Sequence, residues 1–125
     1  MGLELQVVGD PIVVSAGGSF EVVVRLRNVG SAPVTLMFPS SCSFSIAISA
    51  ADGRELARSE AICLTVIREP TLGPGEVLED SVAYTLGEPG VVRLAPGVYR
   101  LTPVLLATSS PSVAVRSARL EVRGE

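Results

Sequence analysis

Two near-copies of one turn punctuate the second half of the chain, Gly73-Pro74-Gly75-Glu76 and Ala95-Pro96-Gly97-Val98-Tyr99. Proline fixes φ and lacks a backbone donor, and the glycine after it accepts φ > 0, so each Pro-Gly pair reverses the chain between two apolar runs. A strand-like segment, 26–36, comes before them. This punctuation belongs to a small antiparallel β-sandwich.

The apolar runs support that reading. In Ser19–Val29, the side chains of Phe20, Val22, Val24 and Leu26 alternate with Glu21, Val23, Arg25 and Arg27, the period of two of a strand with one buried face. Phe44, Ile46 and Ile48 alternate with Ser45, Ala47 and Ser49, and the following Asp52-Gly53 is a hairpin signal. Arg54–Arg58 and Ile62–Arg68 supply the return, with irregularities. Glu76–Leu86 carries Leu78, Val82, Tyr84 and Leu86 on one parity, with Asp80 among them. Near the start, Gly9-Asp10-Pro11 splits Leu3–Val8 from Ile12–Val14, as an edge strand does when it switches partners. Pro103 places Val98–Ala107 at an edge or a bulge. Val113–Arg123 is expected to end the fold as one amphipathic strand. No segment has a helical apolar stripe. The expected fold is all-β: an Ig-like antiparallel β-sandwich of seven to nine strands, with residues 1–125 as a single domain.

Composition narrows the function. The 125 residues suit one core, and a net charge of −3 with 4% aromatic content gives neither a phosphate-attracting field nor a stacking platform, so no nucleic-acid partner is expected. All ten basic residues are arginine, which reads as codon bias before it reads as heat adaptation. No run of about 18 apolar residues is present, so no membrane span is expected. The first nine residues lack a signal-peptide pattern, which points to the cytoplasm; a chain trimmed of a leader would be secreted or at the cell surface.

The chain contains no histidine. Without it there is no Ser–His–Asp relay and no imidazole ligand for a metal, and no GxSxG elbow occurs. Glu79 and Asp80 are neighbours on a strand and face opposite ways, so they do not flank one bond. No catalytic residue, cofactor or metal is expected, and the chain is read as a non-enzyme. Cys42 and Cys63 are the two cysteines. A disulfide between them is the favoured reading, with two buried reduced thiols as the alternative, and it would fit an oxidising compartment or a hyperthermophile cytosol. The connection 86–97 is framed by prolines and contains Val91, Val92, Arg93 and Leu94, a candidate partner-binding loop; the plainer reading makes it a crossover that caps the core.

The order of motifs Leu26-Arg27-Asn28-Val29-Gly30, Pro33-Val34-Thr35-Leu36-Met37-Phe38, Phe44-Ser45-Ile46, Asp52-Gly53-Arg54, Leu72-Gly73-Pro74-Gly75-Glu76 and Leu94-Ala95-Pro96-Gly97-Val98-Tyr99 resembles the bacterial intracellular proteinase inhibitor (BsuPI) domain over residues 15–107. The resemblance implies an Ig-like sandwich that inhibits a serine proteinase of the subtilisin type. It transfers no reactive-site residue. The cysteine pair departs from a cytosolic inhibitor and suggests a secreted or thermophilic branch.

Two functions follow as expectations. The first is a protein-binding module, most specifically a serine-proteinase inhibitor, acting through Val91–Leu94 or through the stretch from Cys63 to Leu72. The second is a structural or cell-surface assembly module, a monomer or homodimer that joins partners by its edges.

Overall fold

The structure, a computed structural model, describes residues 2–59, 62–85, 94–108 and 110–124. Among them are eleven strands: β1 (Leu3–Val8), β2 (Ile12–Ser15), β3 (Ser19–Asn28), β4 (Val34–Thr35), β5 (Phe44–Ser49), β6 (Glu55–Arg58), β7 (Thr71–Leu72), β8 (Val77–Thr85), β9 (Gly97–Leu105), β10 (Val113–Arg116) and β11 (Ala118–Arg123). One sheet has the order β10-β1-β3-β8 and the other β2-β11-β9-β5-β6, while β4 and β7 form a separate short pair. The all-β, Ig-like sandwich expected from the alternation is the fold observed, with eleven strands among the described residues instead of seven to nine, because the C-terminal segment divides in two and β4 and β7 form a short pair of their own.

The core lies between the two large sheets because each strand presents its apolar parity inward. Leu3, Leu5, Val24 and Leu26 from the first sheet meet Ile46, Ile48, Leu101 and Leu120 from the second, all essentially inaccessible to water. Burying each such side chain contributes about 1.5–3 kcal/mol before the entropy of ordering it is subtracted. The charged parity faces solvent, where Arg25 on β3 pairs with Glu79 directly across on β8.

The sandwich departs from a purely antiparallel one at its terminal strands. At Gly9-Asp10-Pro11, whose Asp10–Pro11 peptide is cis, the chain leaves the first sheet as β1 and enters the second as β2. The C-terminal segment does the same at Ser117, so Val113–Arg123 is two strands instead of one. β1 therefore runs parallel to β10, and β2 parallel to β11. The two crossings are joined where the Arg119 N–H donates to Asp10 Oδ1 at 3.1 Å.

Pro103 also needs a correction. β9 lies in the middle of the five-stranded sheet, not at its edge, yet its ladder with β11 ends at Leu101. At Pro103 the strand pairs with β5 alone, so the missing donor is tolerated there. The Asp52-Gly53 turn joins β5 to β6 as the sequence predicts. Gly53 has φ 91°, and the Arg54 N–H donates to Asp52 Oδ1 at 2.9 Å. In the first Pro-Gly turn Gly75 has φ 80°, and the Glu76 N–H donates to the Gly73 carbonyl at 3.0 Å. The second leads into β9, with the Tyr99 hydroxyl donating to the Ala95 carbonyl at 2.6 Å.

Candidate functional site

Of the loop expected between the last two Pro-Gly pairs, Val91, Val92 and Arg93 lie outside the described residues. Leu94 is described, and it is buried in the core at 6% exposure, so it is not a surface contact. A leucine at the mouth of a sandwich caps the space between the sheets.

The other stretch named from the sequence, from Cys63 onward, has the opposite character. The chain leaves β6 at Arg58, whose guanidinium hydrogen-bonds Glu55 and holds that exposed carboxyl below the usual glutamate range. The segment 62–67 then forms no strand with either sheet, although the sequence alternation suggests a return. Its apolar side chains point into solvent: Ile62 is 99% exposed, Ile67 68%, Leu64 66% and Val66 47%. Four large hydrophobic side chains exposed within six residues form a patch of the kind that marks an interaction site.

This loop is fastened at both ends. Upstream, the nearly buried Ser59 donates its N–H to the Ile46 carbonyl at 2.8 Å and accepts the Ile46 N–H on Oγ at 2.9 Å. At the start of the loop, Cys63 is bonded to Cys42 with the Cα atoms 5.6 Å apart, as the favoured reading of the cysteines expects. Ser41 holds the next residue twice, its N–H donating to the Leu64 carbonyl at 3.0 Å and its Oγ accepting the Leu64 N–H at 2.8 Å. The Val66 N–H also donates to the Leu64 carbonyl, at 2.9 Å, closing a tight turn over Thr65.

Beyond the turn, Arg68 returns the chain to the domain. Its backbone exchanges hydrogen bonds with Phe38 at 2.8 and 3.0 Å. Its guanidinium lies 4.7 Å from the centre of the buried Phe38 ring, with Nε donating to the Ser40 carbonyl and Nη2 to Ser43 Oγ, each at 3.0 Å. A cation over a ring face contributes about 0.5–2 kcal/mol, and here it also supports the segment that carries Cys42. The roles of Ser41, Ser59 and Arg68 were not legible from the sequence. Two serines and an arginine in irregular segments have no periodicity to reveal them.

Elsewhere the described residues include no group of three His, Cys, Asp or Glu side chains able to hold a metal, and no helix long and apolar enough to cross a membrane. The arrangement presents an apolar main-chain segment, ordered in advance, at the surface of the domain.

No protein-family model matches the chain, and no curated protein sequence does. Solved structures are similar in fold. The chain aligns over 98% of its length with 94% of the CARDB domain of a Pyrococcus furiosus protein solved with di-metal ions, at 17% identity and a TM-score of 0.52. It aligns over its whole length with 51% of the Bacillus subtilis sporulation control protein Spo0M, at 12% identity and a TM-score of 0.59. It also aligns over 98% of its length with a part of the Listeria innocua β-glucosidase in complex with isofagomine, at 17% identity and a TM-score of 0.51, where it spans only 16% of that chain. At these identities the likenesses establish the Ig-like fold, and none of the three proteins is named for proteinase inhibition.

Proposed function

We propose that the domain is a non-enzymatic binding module that inhibits a serine proteinase, with the segment 62–67 as the part that enters the proteinase cleft. The observation that carries this reading is the loop itself, apolar and exposed, and fastened by the Cys42–Cys63 disulfide at its start and by the Arg68–Phe38 bridge at its end. A cleft binds extended chain most tightly when the ordering entropy has been removed beforehand, and the two fastenings remove it. The resemblance of the motif order to the intracellular proteinase inhibitor domain supports the same reading. The lack of histidine supports a binding role over hydrolysis by the domain itself, since a serine nucleophile in this chain has no imidazole to take its proton.

The test is a titration of serine proteinases, a subtilisin and an elastase among them, with the domain and with Leu64→Asp and Ile67→Asp. Stoichiometric loss of proteinase activity with the parent domain is expected. Each variant should weaken inhibition by about 30-fold or more, as removal of a contact worth about 2 kcal/mol does. No inhibition at micromolar excess of the parent domain would sink the proposal.

A second reading, an assembly role, would use β8, a nine-residue strand that pairs among the described residues with β3 alone, although the charged Asp80 on its inward parity opposes pairing with the same edge of another copy.

A further inference from the structure

We infer that the solvent face of the five-stranded sheet carries a binding site for a small oxyanion, a carboxylate or a phosphate with a short apolar arm, between Arg100 of β9 and Arg119 of β11. The inference is independent of the inhibitory reading, because none of its residues belongs to the 62–67 loop.

The register of β9 on β11 sets Arg100 directly opposite Arg119, with Ser49 of β5 on the other side of Arg100. Their chain neighbours Leu101 and Leu120 are buried in the core, so the two arginines share the solvent face. Like charges directly opposite each other destabilise an antiparallel pair. Arg119 is partly compensated, since its Nη2 donates to Glu121 Oε1 at 3.0 Å, but that carboxylate also pairs with Arg123 at 3.6 Å. Arg100 has no ion pair among the described residues. Its guanidinium donors are therefore uncommitted, and they face a second cation in a chain whose net charge is −3. The nearby carboxylate of Asp10 accepts the Arg119 backbone N–H and does not line the space between the arginines.

That space is a concavity of ≈ 290 Å³. Tyr99 and Ala118, of core-facing parity, form its floor, and Ala51 beyond the end of β5 borders it. Among the described residues that line it there are two arginines and no acid. Ser117 adds a hydroxyl. Its Oγ lies 2.8 Å from Thr102 Oγ1, and since one of the two donates to the other, one hydroxyl proton is left for a ligand. Val98, 48% exposed, offers an apolar contact on the same face. At about 30 Å³ for each water-sized group, the volume suits roughly ten heavy atoms. An oxyanion seated here accepts from Arg100 and Arg119 together, which turns one repulsion into two attractions, and the guanidinium fork matches the paired oxygens of a carboxylate or a phosphate. The remaining volume takes the arm that lies against Val98.

The experiment titrates the whole isotope-labelled chain with inorganic phosphate, phenyl phosphate, acetate and butyrate, each against chloride at matched ionic strength, following amide shifts and Tm. Saturable shifts centred on residues 98–100 and 117–119 are expected, with a Kd of about 1 mM or tighter for phenyl phosphate or butyrate, together with a raised Tm. Stronger binding of the two phosphates would assign the site to phosphate esters, and stronger binding of acetate and butyrate to carboxylic acids; both support the inference. Arg100→Gln should weaken binding by about 10-fold or more. In chloride alone the same variant should unfold at or above the parent Tm, because it removes the repulsion, whereas an arginine with a merely structural role would lower it. Arg27→Gln, an exposed arginine on β3 in the other sheet, should bind as the parent does. No saturable shift with any of the four probes, parent-level binding by Arg100→Gln, or equal weakening by Arg27→Gln would overturn the inference.

Discussion

Asn28 Nδ2 donates to the carbonyl oxygen of Leu72 at 2.9 Å, joining the end of β3 to β7 across 44 residues. The same nitrogen donates to the Ala32 carbonyl at 2.9 Å, and Asn28 Oδ1 accepts the Gly30 N–H at 2.9 Å. The side chain is completely buried, so every hydrogen bond lost on truncation leaves a polar group shielded from water. Asn28→Ala is expected to cost about 2–4 kcal/mol in urea unfolding. Asn28→Asp should cost more, because a carboxylate oxygen would replace the nitrogen that faces two carbonyls. A loss within a few tenths of a kcal/mol for the alanine variant would remove Asn28 as the organiser of these turns.

Removing the disulfide tests the fastening at the start of the loop. The closed segment spans 21 positions, and its loss in a Cys42→Ser/Cys63→Ser variant should lower stability by about 3 kcal/mol in the chain-entropy account. Amide exchange adds a local measure. The Leu64 N–H, bonded to Ser41 Oγ, should exchange faster in the variant by a factor larger than the global loss of stability explains. Equal acceleration at Leu64 and throughout β3 would mean that the loop gains no order of its own from the bond.

The open edge of β8 is guarded by Asp80. It stands opposite the fully buried Val24 and so shares the core-facing parity, yet it is exposed and its Oδ1 accepts the Ser81 N–H at 2.9 Å. A charge of inward parity on an edge strand is a device against edge-to-edge pairing. Asp80→Val should therefore shift the protein toward dimers or larger species in sedimentation velocity. A variant that sediments as the parent does would show that the edge is protected in another way.

Tyr84 sets a limit at alkaline pH. Burial raises its hydroxyl above the ordinary tyrosine value, because the phenolate is poorly solvated beside Phe20, whose ring centre is 5.8 Å away. The folded state therefore holds the proton more tightly than the unfolded state. This stabilisation is fully present below the unfolded pKa of about 10 and is lost as pH rises through the folded value. Tyr84→Phe should flatten the fall in Tm above pH 10 relative to the parent. Identical alkaline slopes for the two proteins would contradict the assignment.

Strands with one buried face were legible in the sequence because their periodicity is local. The inward sets of β3 and β11 are Val22/Val24/Leu26 and Ala118/Leu120/Val122, as their alternation predicts, while β5 buries Ser45 and Ala47 as well as Phe44, Ile46 and Ile48. The crossing at Gly9-Asp10-Pro11 was legible because proline marks it. The crossing at Ser117 was marked only by a change of phase, with the apolar positions odd at Val113 and Val115 and even from Ala118 onward. The parallel pairings could not be read, since they join residues more than 100 positions apart. At the loop, apolar residues at 62–67 read as a strand. Only the three-dimensional placement of Ser41, Cys42 and Phe38 shows that no sheet receives them.

The paired crossings of the terminal segments have a mechanical consequence. A force drawing Leu3 and Arg123 apart pulls β1 toward its start and β11 toward its end, while each lies beside a parallel neighbour that runs into the other sheet. Parallel ladders loaded in this way are strained along their length, so their hydrogen bonds share the load and do not open one after another. Asp10 and Arg119, joined at the crossing, sit between the two ladders that bear it. Tension applied between the two ends of the domain therefore falls on both ladders together.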